Sequence, residues 1–238
     1  MSAALAYPTR DPSDRSLRLV VFDFDGTLVD SQHGIAAAMA EAFAAHGLAP
    51  PQAEAVRGVI GLTLESAVAR LLPDPHDLAG ARRIADAYRE AFHLRRHGGP
   101  EEFLFPGARE AIASLDRAGI LLGIATGKGR RGLTAALDRL GLAEAFVTLQ
   151  TVDDAPGKPH PEMLRRAMAE AGAEPWETAV IGDTTYDMEM AANAKVAAFG
   201  VAWGYHAPAA LTEAGAAAIV ERFELLETSL RDHWTKGP

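Results

Sequence analysis

Apolar and polar positions along this chain follow two patterns, and the change between them divides it. Leu19 to Phe22, leading into Asp23, form a short apolar run that predicts a buried strand. From Ser31 to Pro100 the apolar residues recur at helical spacing and no strand pattern appears. Ile35, Met39, Ala42, Phe43 and His46 mark a first helix, with Ser31 as its N-cap and Gly47 as its end. Pro50-Pro51 breaks the chain, a short helix follows, and the loop Arg57-Gly58-Val59-Ile60-Gly61 leads to a pattern of Leu64, Val68, Leu71 and Leu72. After the break at Pro73 to Pro75, a longer helix is predicted from Leu78 to Arg96, with Ile84, Tyr88, Ala91 and Phe92 on one face. His97-Gly98-Gly99-Pro100 closes it. The region therefore predicts a bundle of about four helices.

From Pro106 short β-rich runs alternate with helical ones. Leu121 to Ala125, Ala145 to Leu149, Ala179 to Ile181 and Val196 to Val201 predict strands. Helices are predicted to begin near Gly107, Gly129, Pro161, Thr185 and Ala207. Alternation of this kind predicts an α/β fold with a doubly wound, Rossmann-like parallel sheet. The strand at Leu19 belongs to that sheet, so the helical bundle is inserted just after the first strand. The expected division is an α/β core of residues 1–30 and 101–238 and a helical segment of residues 31–100. Crossings near Val29–Gln32 and Gly98–Pro106 are the expected hinges.

Composition narrows the picture. The 238 residues suit one core domain with a smaller insertion, and 48% hydrophobic content supplies a sizeable core. The chain has no cysteine, which removes disulfides, thiol catalysis and cysteine-ligated zinc. No apolar run is long enough to cross a membrane. Met1 to Ser16 lacks the apolar centre of a signal peptide, so a frayed tail is expected, and the absence of cysteine makes the cytoplasm the expected location. A formal charge of −9 without a long basic run argues against a nucleic-acid partner. An anionic substrate must then be met by local cations.

The chemistry concentrates at predicted strand ends, where open α/β sheets bind ligands. Asp23-Phe24-Asp25-Gly26-Thr27 places two carboxylates at the end of the first strand, with Gly26 already turning the chain. Paired acids here suit a magnesium ion, a carboxylate nucleophile, or both. A calcium loop of the EF-hand type fails, because its glycine and glutamate positions fall on Leu28 and Gly34. Gly182-Asp183-Thr184-Thr185-Tyr186-Asp187 follows another strand, and Asp183 and Asp187 lie one helical turn apart. Asp183 could instead only cap the helix that starts at Thr185. Two acidic strand ends in one sheet would repel unless a cation intervenes, and magnesium, a hard ion with oxygen ligands, fits. Thr126, followed by Gly127-Lys128-Gly129, offers a hydroxyl and free backbone N–H groups to an anion. Lys158, between Gly157 and Pro159, is a candidate point charge for phosphate. Gly127 to Gly132 also matches a dinucleotide-binding glycine pattern, but the acid expected about twenty positions on is missing at Leu149-Gln150-Thr151.

Acids, a hydroxyl beside a glycine turn, a lysine, then further acids: this ordered set resembles the haloacid dehalogenase-like superfamily of phosphohydrolases. The likeness is to the branch with a helical cap after the first strand, and to its phosphoglycolate phosphatase-like members. Asp23 to Ser31 looks like the first family motif, Thr126 the second, Lys158 the third, and Gly182-Asp183 with Asp187 the fourth. The resemblance implies that Asp23 attacks phosphorus and that Asp25 carries the proton to the leaving alcohol and from water. It implies magnesium held by Asp23, the backbone carbonyl of Asp25 and Asp183, with Asp187 in support. Thr126, Gly127 and Lys158 would bind the phosphoryl group, and the substrate would be a small phosphorylated metabolite such as phosphoglycolate. Arg57 and Gly58, in the cap loop, would face the site; Arg57 could meet a substrate anion or be an ordinary solvated charge. Lys128, Arg130 and Arg131 are expected at a solvated helix start, with Lys128 also able to add positive field, and Tyr205 and His206 at the site rim. A β-phosphoglucomutase-like activity is the nearer alternative and a dinucleotide-binding oxidoreductase the remoter one. Lys195 departs from the glycine common in relatives at that helix end.

Overall fold

A computed structural model describes residues 17–96 and 103–236. The expected tail at 1–16 and the chain closing the longest predicted helix at 97–102 lie outside the described residues. Six strands form one parallel sheet: β1 (Leu19–Phe22), β4 (Leu121–Thr126), β5 (Thr148–Thr151), β6 (Thr178–Gly182), β7 (Ala197–Val201) and β8 (Ala218–Val220). Two further strands, β2 (Val29–Asp30) and β3 (Phe103–Leu104), pair antiparallel. The order of the main sheet is β5-β4-β1-β6-β7-β8, so β1 lies inside it with a parallel partner on each side. That is the doubly wound arrangement the alternation predicts.

All four side chains of β1 are fully buried because helices cover both faces of the sheet. Val20 and Phe22 point into one apolar layer with α5 (Ala108–Arg117), α6 (Arg130–Leu140) and α10 (Leu226–Lys236). Leu19 and Val21 point into the other, with α7 (Glu162–Ala171), α8 (Thr185–Ala194) and α9 (Pro208–Glu213). Each such side chain contributes about 1.5–3 kcal/mol on burial. The register then fixes the site. Phe22 is level with Ile124 and Ile181, so Asp23, Thr126 and Asp183 all emerge at one edge of the sheet.

The stretch between β2 and β3 holds α1 (Gln32–Ala45), α2 (Ala53–Arg57), α3 (Leu64–Leu71) and α4 (Leu78–Arg96). They share an apolar centre of their own, built on Met39, Phe43, Val68 and Ile84. The four predicted helices are all present. Ser31 stands at the N-cap position, but its side chain makes no capping bond; its N–H donates to the Tyr205 hydroxyl instead.

One expectation needs correction, and some elements had no readable signal. The predicted strand Ala145–Leu149 starts three residues later, at Thr148. Ala143–Ala145 form a turn of 3-10 helix, and pairing resumes only where Thr148 lies opposite Gly123. The β2–β3 pair was not anticipated, since two residues per strand carry no readable pattern. Nor were β8 and α10, whose mixed sequence hides an edge strand. At the end of α8, Lys195 adopts a left-handed φ of 61°, a conformation that costs a side chain about 1 kcal/mol or more.

Candidate active site

Asp23 ends β1, and its backbone N–H donates to the carbonyl of Ile181 at 2.8 Å, which locks it to the tip of β6. The next residues fold back at once: Gly26 N–H donates to Val29 and Leu28 N–H to Phe24. Gly26 has φ +94° and sits so close to Asp183 that a Cβ would lie 2.3 Å from its carboxylate. Only glycine fits there.

Three buried carboxylates converge. Asp23, Asp183 and Asp187 each offer an oxygen within 4.8 Å of the others. Lys158, wholly buried and preceding a cis proline, lies 2.7 Å from Asp23 and 2.6 Å from Asp187. Asp183 accepts from the Thr27 hydroxyl at 2.8 Å and from the Tyr205 N–H at 2.9 Å. Asp183 is not the cap of α8. Thr184 is, and Asp187 returns the bond to the Thr184 N–H and hydroxyl as the other half of a capping box. That box aims Asp187 at Lys158.

Electrostatics set this cluster apart. Burial pushes the Asp23 carboxyl up to about 7, aided by Asp187 and Asp25 and opposed by Lys158. Asp183 is raised well above the usual range, first by burial and then by Asp23 and Asp187. Lys158 is raised despite its burial, because Asp187 and Asp23 hold its proton. One ammonium therefore pairs with two of the three acids and leaves Asp183 without a cationic contact from it. Oδ2 of Asp23 is buried without a hydrogen-bond donor. A hard divalent cation suits this all-oxygen, charge-excess set.

Asp25 stands apart from the three. Its carboxylate receives Lys128 Nζ at 2.8 and 3.0 Å. Lys128 is thus not at a solvated helix start. Its side chain is about 10% exposed and its ammonium lies over the rings of Phe24 and Phe92, at 5.5 and 5.3 Å. Arg130 and Arg131, by contrast, start α6 as expected, with Arg130 turned to Asp154. Thr126 is buried beside the cluster, its hydroxyl accepting from the Lys128 N–H.

A cavity of about 580 Å³ separates the helical insertion from this edge of the sheet. Asp23, Asp25, Thr126, Gly127 and Lys128 line its floor, and Met39, Ile60, Tyr88 and Phe92 are among its roof. Arg57 and Gly58 do not line it. Arg57 is exposed and reaches toward Gln32, while the Gly58 carbonyl accepts from the Tyr186 hydroxyl. The part of that loop lining the cavity includes Gly61–Leu62, whose carbonyls lie over Gly127. Tyr205 and His206 brace the site rather than rim it, Tyr205 through Asp183 and Ser31, His206 by accepting the Thr185 N–H. Thr27 and Lys128 are the contacts sequence reasoning missed, although both lie inside motifs already singled out.

Fold and site together define an α/β enzyme with an acidic sheet edge beneath a helical insertion. Residues 20–201 match the family model of haloacid dehalogenase-like hydrolases. A probable phosphatase, IndB, of Dickeya dadantii (strain 3937) is 38% identical over 210 residues, covering 86% of this chain and 90% of that one. A phosphoglycolate phosphatase of Vibrio vulnificus (strain YJ016) is 30% identical over 205 residues, covering 82% and 87%. The crystal structure of a hydrolase from Pseudomonas syringae superposes with a TM-score of 0.80 at 29% identity, covering 91% of this chain and 99% of that chain. The chain belongs to the haloacid dehalogenase-like hydrolases, in their phosphatase class. The glycine pattern at Gly127 to Gly132 is therefore not a dinucleotide fingerprint. No helix among the described residues is long and apolar enough to cross a membrane.

Proposed function

We propose that this enzyme is a magnesium-dependent phosphomonoesterase working through an aspartyl phosphate on Asp23. The observation that carries the reading is the separation of the two motif acids. Both line the cavity floor, but Asp23 is held in the buried cluster with Lys158 and Asp187, whereas Asp25 lies outside that cluster and is paired with Lys128. One acid is placed to attack and the other to carry protons.

In this reading Asp23 attacks phosphorus and the bond to the alcohol oxygen breaks, with Asp25 giving that oxygen its proton. Asp25 then takes a proton from the water that attacks the phosphoenzyme, which frees Asp23 and inorganic phosphate. Thr126 and the Gly127 N–H hold phosphoryl oxygens, and Lys158 supplies positive charge beneath them. Magnesium, when bound by Asp23, Asp183 and the Asp25 backbone carbonyl, with Asp187 in support, would neutralise the charge shared by the cluster and the phosphoryl group. The helical segment, residues 31–100, acts as a cap that excludes water, hinged at the β2–β3 crossing. A mutase would need a cap cation for a second phosphate; Arg57 is turned away from the cavity, and Arg89, which lines it, is engaged by Glu65 and Asp86. The cytoplasmic location expected from composition belongs with this reading.

The test is phosphate release from p-nitrophenyl phosphate and a panel that includes phosphoglycolate and sugar phosphates. Release should require magnesium, stop with chelator and be lost in Asp23→Asn. No release from any member with magnesium present would overturn the reading.

A further inference from the structure

We propose, resting on the phosphomonoesterase reading above, that the preferred substrate is a phosphomonoester whose alcohol carries a flat, uncharged ring. The ring would lie against the stacked Tyr88–Phe92 pair of α4. The cavity of about 580 Å³ lies well above what a phosphorylated two-carbon acid fills and within the range of roughly 300–1,000 Å³ typical of larger organic ligands. Its roof is apolar, formed by Met39, Val56, Ile60 and Leu64 with Tyr88 and Phe92. Tyr88 and Phe92 lie one helical turn apart, their ring centroids 5.5 Å apart and inclined by 18°. They are half-buried and both line the cavity, as an aromatic shelf in its roof. Phe92 also covers Lys128, the partner of Asp25. The shelf therefore begins next to the acid that faces the leaving oxygen, where the body of a departing alcohol has to go. Stacking on such a pair is worth more than area alone.

A small anionic substrate finds less here. Its carboxylate needs a cation; Arg89, the cap arginine on the cavity wall, is engaged by Glu65 and Asp86, Lys128 is engaged by Asp25, and Arg131 and Arg139 stand out at the exposed rim. Arg57 turns outward to Gln32, and Arg70 donates to the Tyr186 hydroxyl. His93, Arg131, Arg139 and Asp153 form an exposed rim, which leaves the far end of the cavity open to polar substituents on the ring.

The test compares kcat/KM for phenethyl phosphate, ethyl phosphate and phosphoglycolate with magnesium present. These leave as primary or comparable alkoxides, so reactivity does not imitate binding as it would with aryl esters. The expected preference for phenethyl over ethyl phosphate is about 10-fold or more. Tyr88→Ala and Phe92→Ala should bring that ratio toward one, and Phe92→Leu, which keeps bulk, should lower it in part. Ethyl phosphate or phosphoglycolate turned over as well as phenethyl phosphate would overturn the ring, while leaving the phosphomonoesterase standing. A preference that survives both alanine variants would overturn the shelf. Failure to release phosphate even from p-nitrophenyl phosphate would instead remove the underlying reading, and this inference with it.

Discussion

Lys128 holds Asp25 by both carboxylate oxygens, at 2.8 and 3.0 Å. In the proposed cycle Asp25 must reach the leaving oxygen, so an entering phosphate dianion has to draw this ammonium away. Lys128 then changes partner rather than simply blocking the acid. Lys128→Met keeps the stem against Phe24 and Phe92 and deletes the charge. A hydrogen bond to a charged group is worth about 1.5–3 kcal/mol, so kcat/KM should fall by about 10- to 100-fold. Steady-state kinetics on any hydrolysed ester decides it. Undiminished kcat/KM would mean that Lys128 only packs between the two rings.

Lys158 separates Asp23 from Asp187 with all three side chains out of water. Replacing it with methionine leaves two buried carboxylates face to face. Removing one partner of such a pair costs about 3–5 kcal/mol. Urea unfolding of Lys158→Met in chelator should show that loss, and saturating magnesium should recover part of it by binding the folded state. An equal loss with and without magnesium would argue that the cluster takes no cation.

His206 accepts the Thr185 N–H through Nδ1, which requires a neutral ring, and burial holds its pKa below the ordinary value. Asp187 acts on the same ring in the opposite sense. The sign follows. Above the unfolded pKa of about 6.5 the ring is neutral in both states and contributes no pH dependence. As pH falls through that value the unfolded chain protonates first, so stability is lost until the lower folded pKa is reached. Unfolding free energy measured between about pH 7 and about pH 5 should decline less steeply in His206→Gln than in wild type. Parallel slopes would exclude the ring as the source.

How far the sequence discloses this molecule depends on the range of the interaction. Strands buried on both faces, such as Leu19 to Phe22, announce themselves, because helices on two sides demand an unbroken apolar run. The four candidate positions, Asp23, Thr126, Lys158 and Asp183, stand out because acids, a hydroxyl and a lysine fall at or after predicted strand ends. Their shared edge follows from parallel pairing alone. What stayed hidden are contacts that topology makes between distant residues of ordinary type. Lys128 meets Asp25 across 103 positions and Thr27 meets Asp183 across 156. A lysine after a glycine, at the start of a helix, gives no local sign of that destination. Arg57 carried two readings, a substrate contact or an ordinary helix-end charge, and it is the exposed last residue of α2, reaching toward Gln32.

At Gly127 the backbone of the cap loop lies directly against the core, which makes this position a direct probe of closure. A Cβ at this position would stand 2.6 Å from the Leu62 carbonyl and 3.1 Å from that of Gly61, both backbone atoms of the cap loop. No side-chain rotation relieves such a contact, so the loop has to move outward. The sheet beneath has no reason to change, since Thr126 on β4 keeps its pairing with Thr151. Gly127→Ala should therefore unfold at nearly the wild-type temperature yet close poorly over its substrate. Water then reaches the site and contacts from the roof are lost, so kcat/KM should drop by about 10-fold or more. The cap loop around Gly61 should also become more open to limited proteolysis in the presence of substrate. Catalysis at the wild-type level, with the loop still protected, would mean that the turnover step does not use the closed approach of Gly61–Leu62 to Gly127.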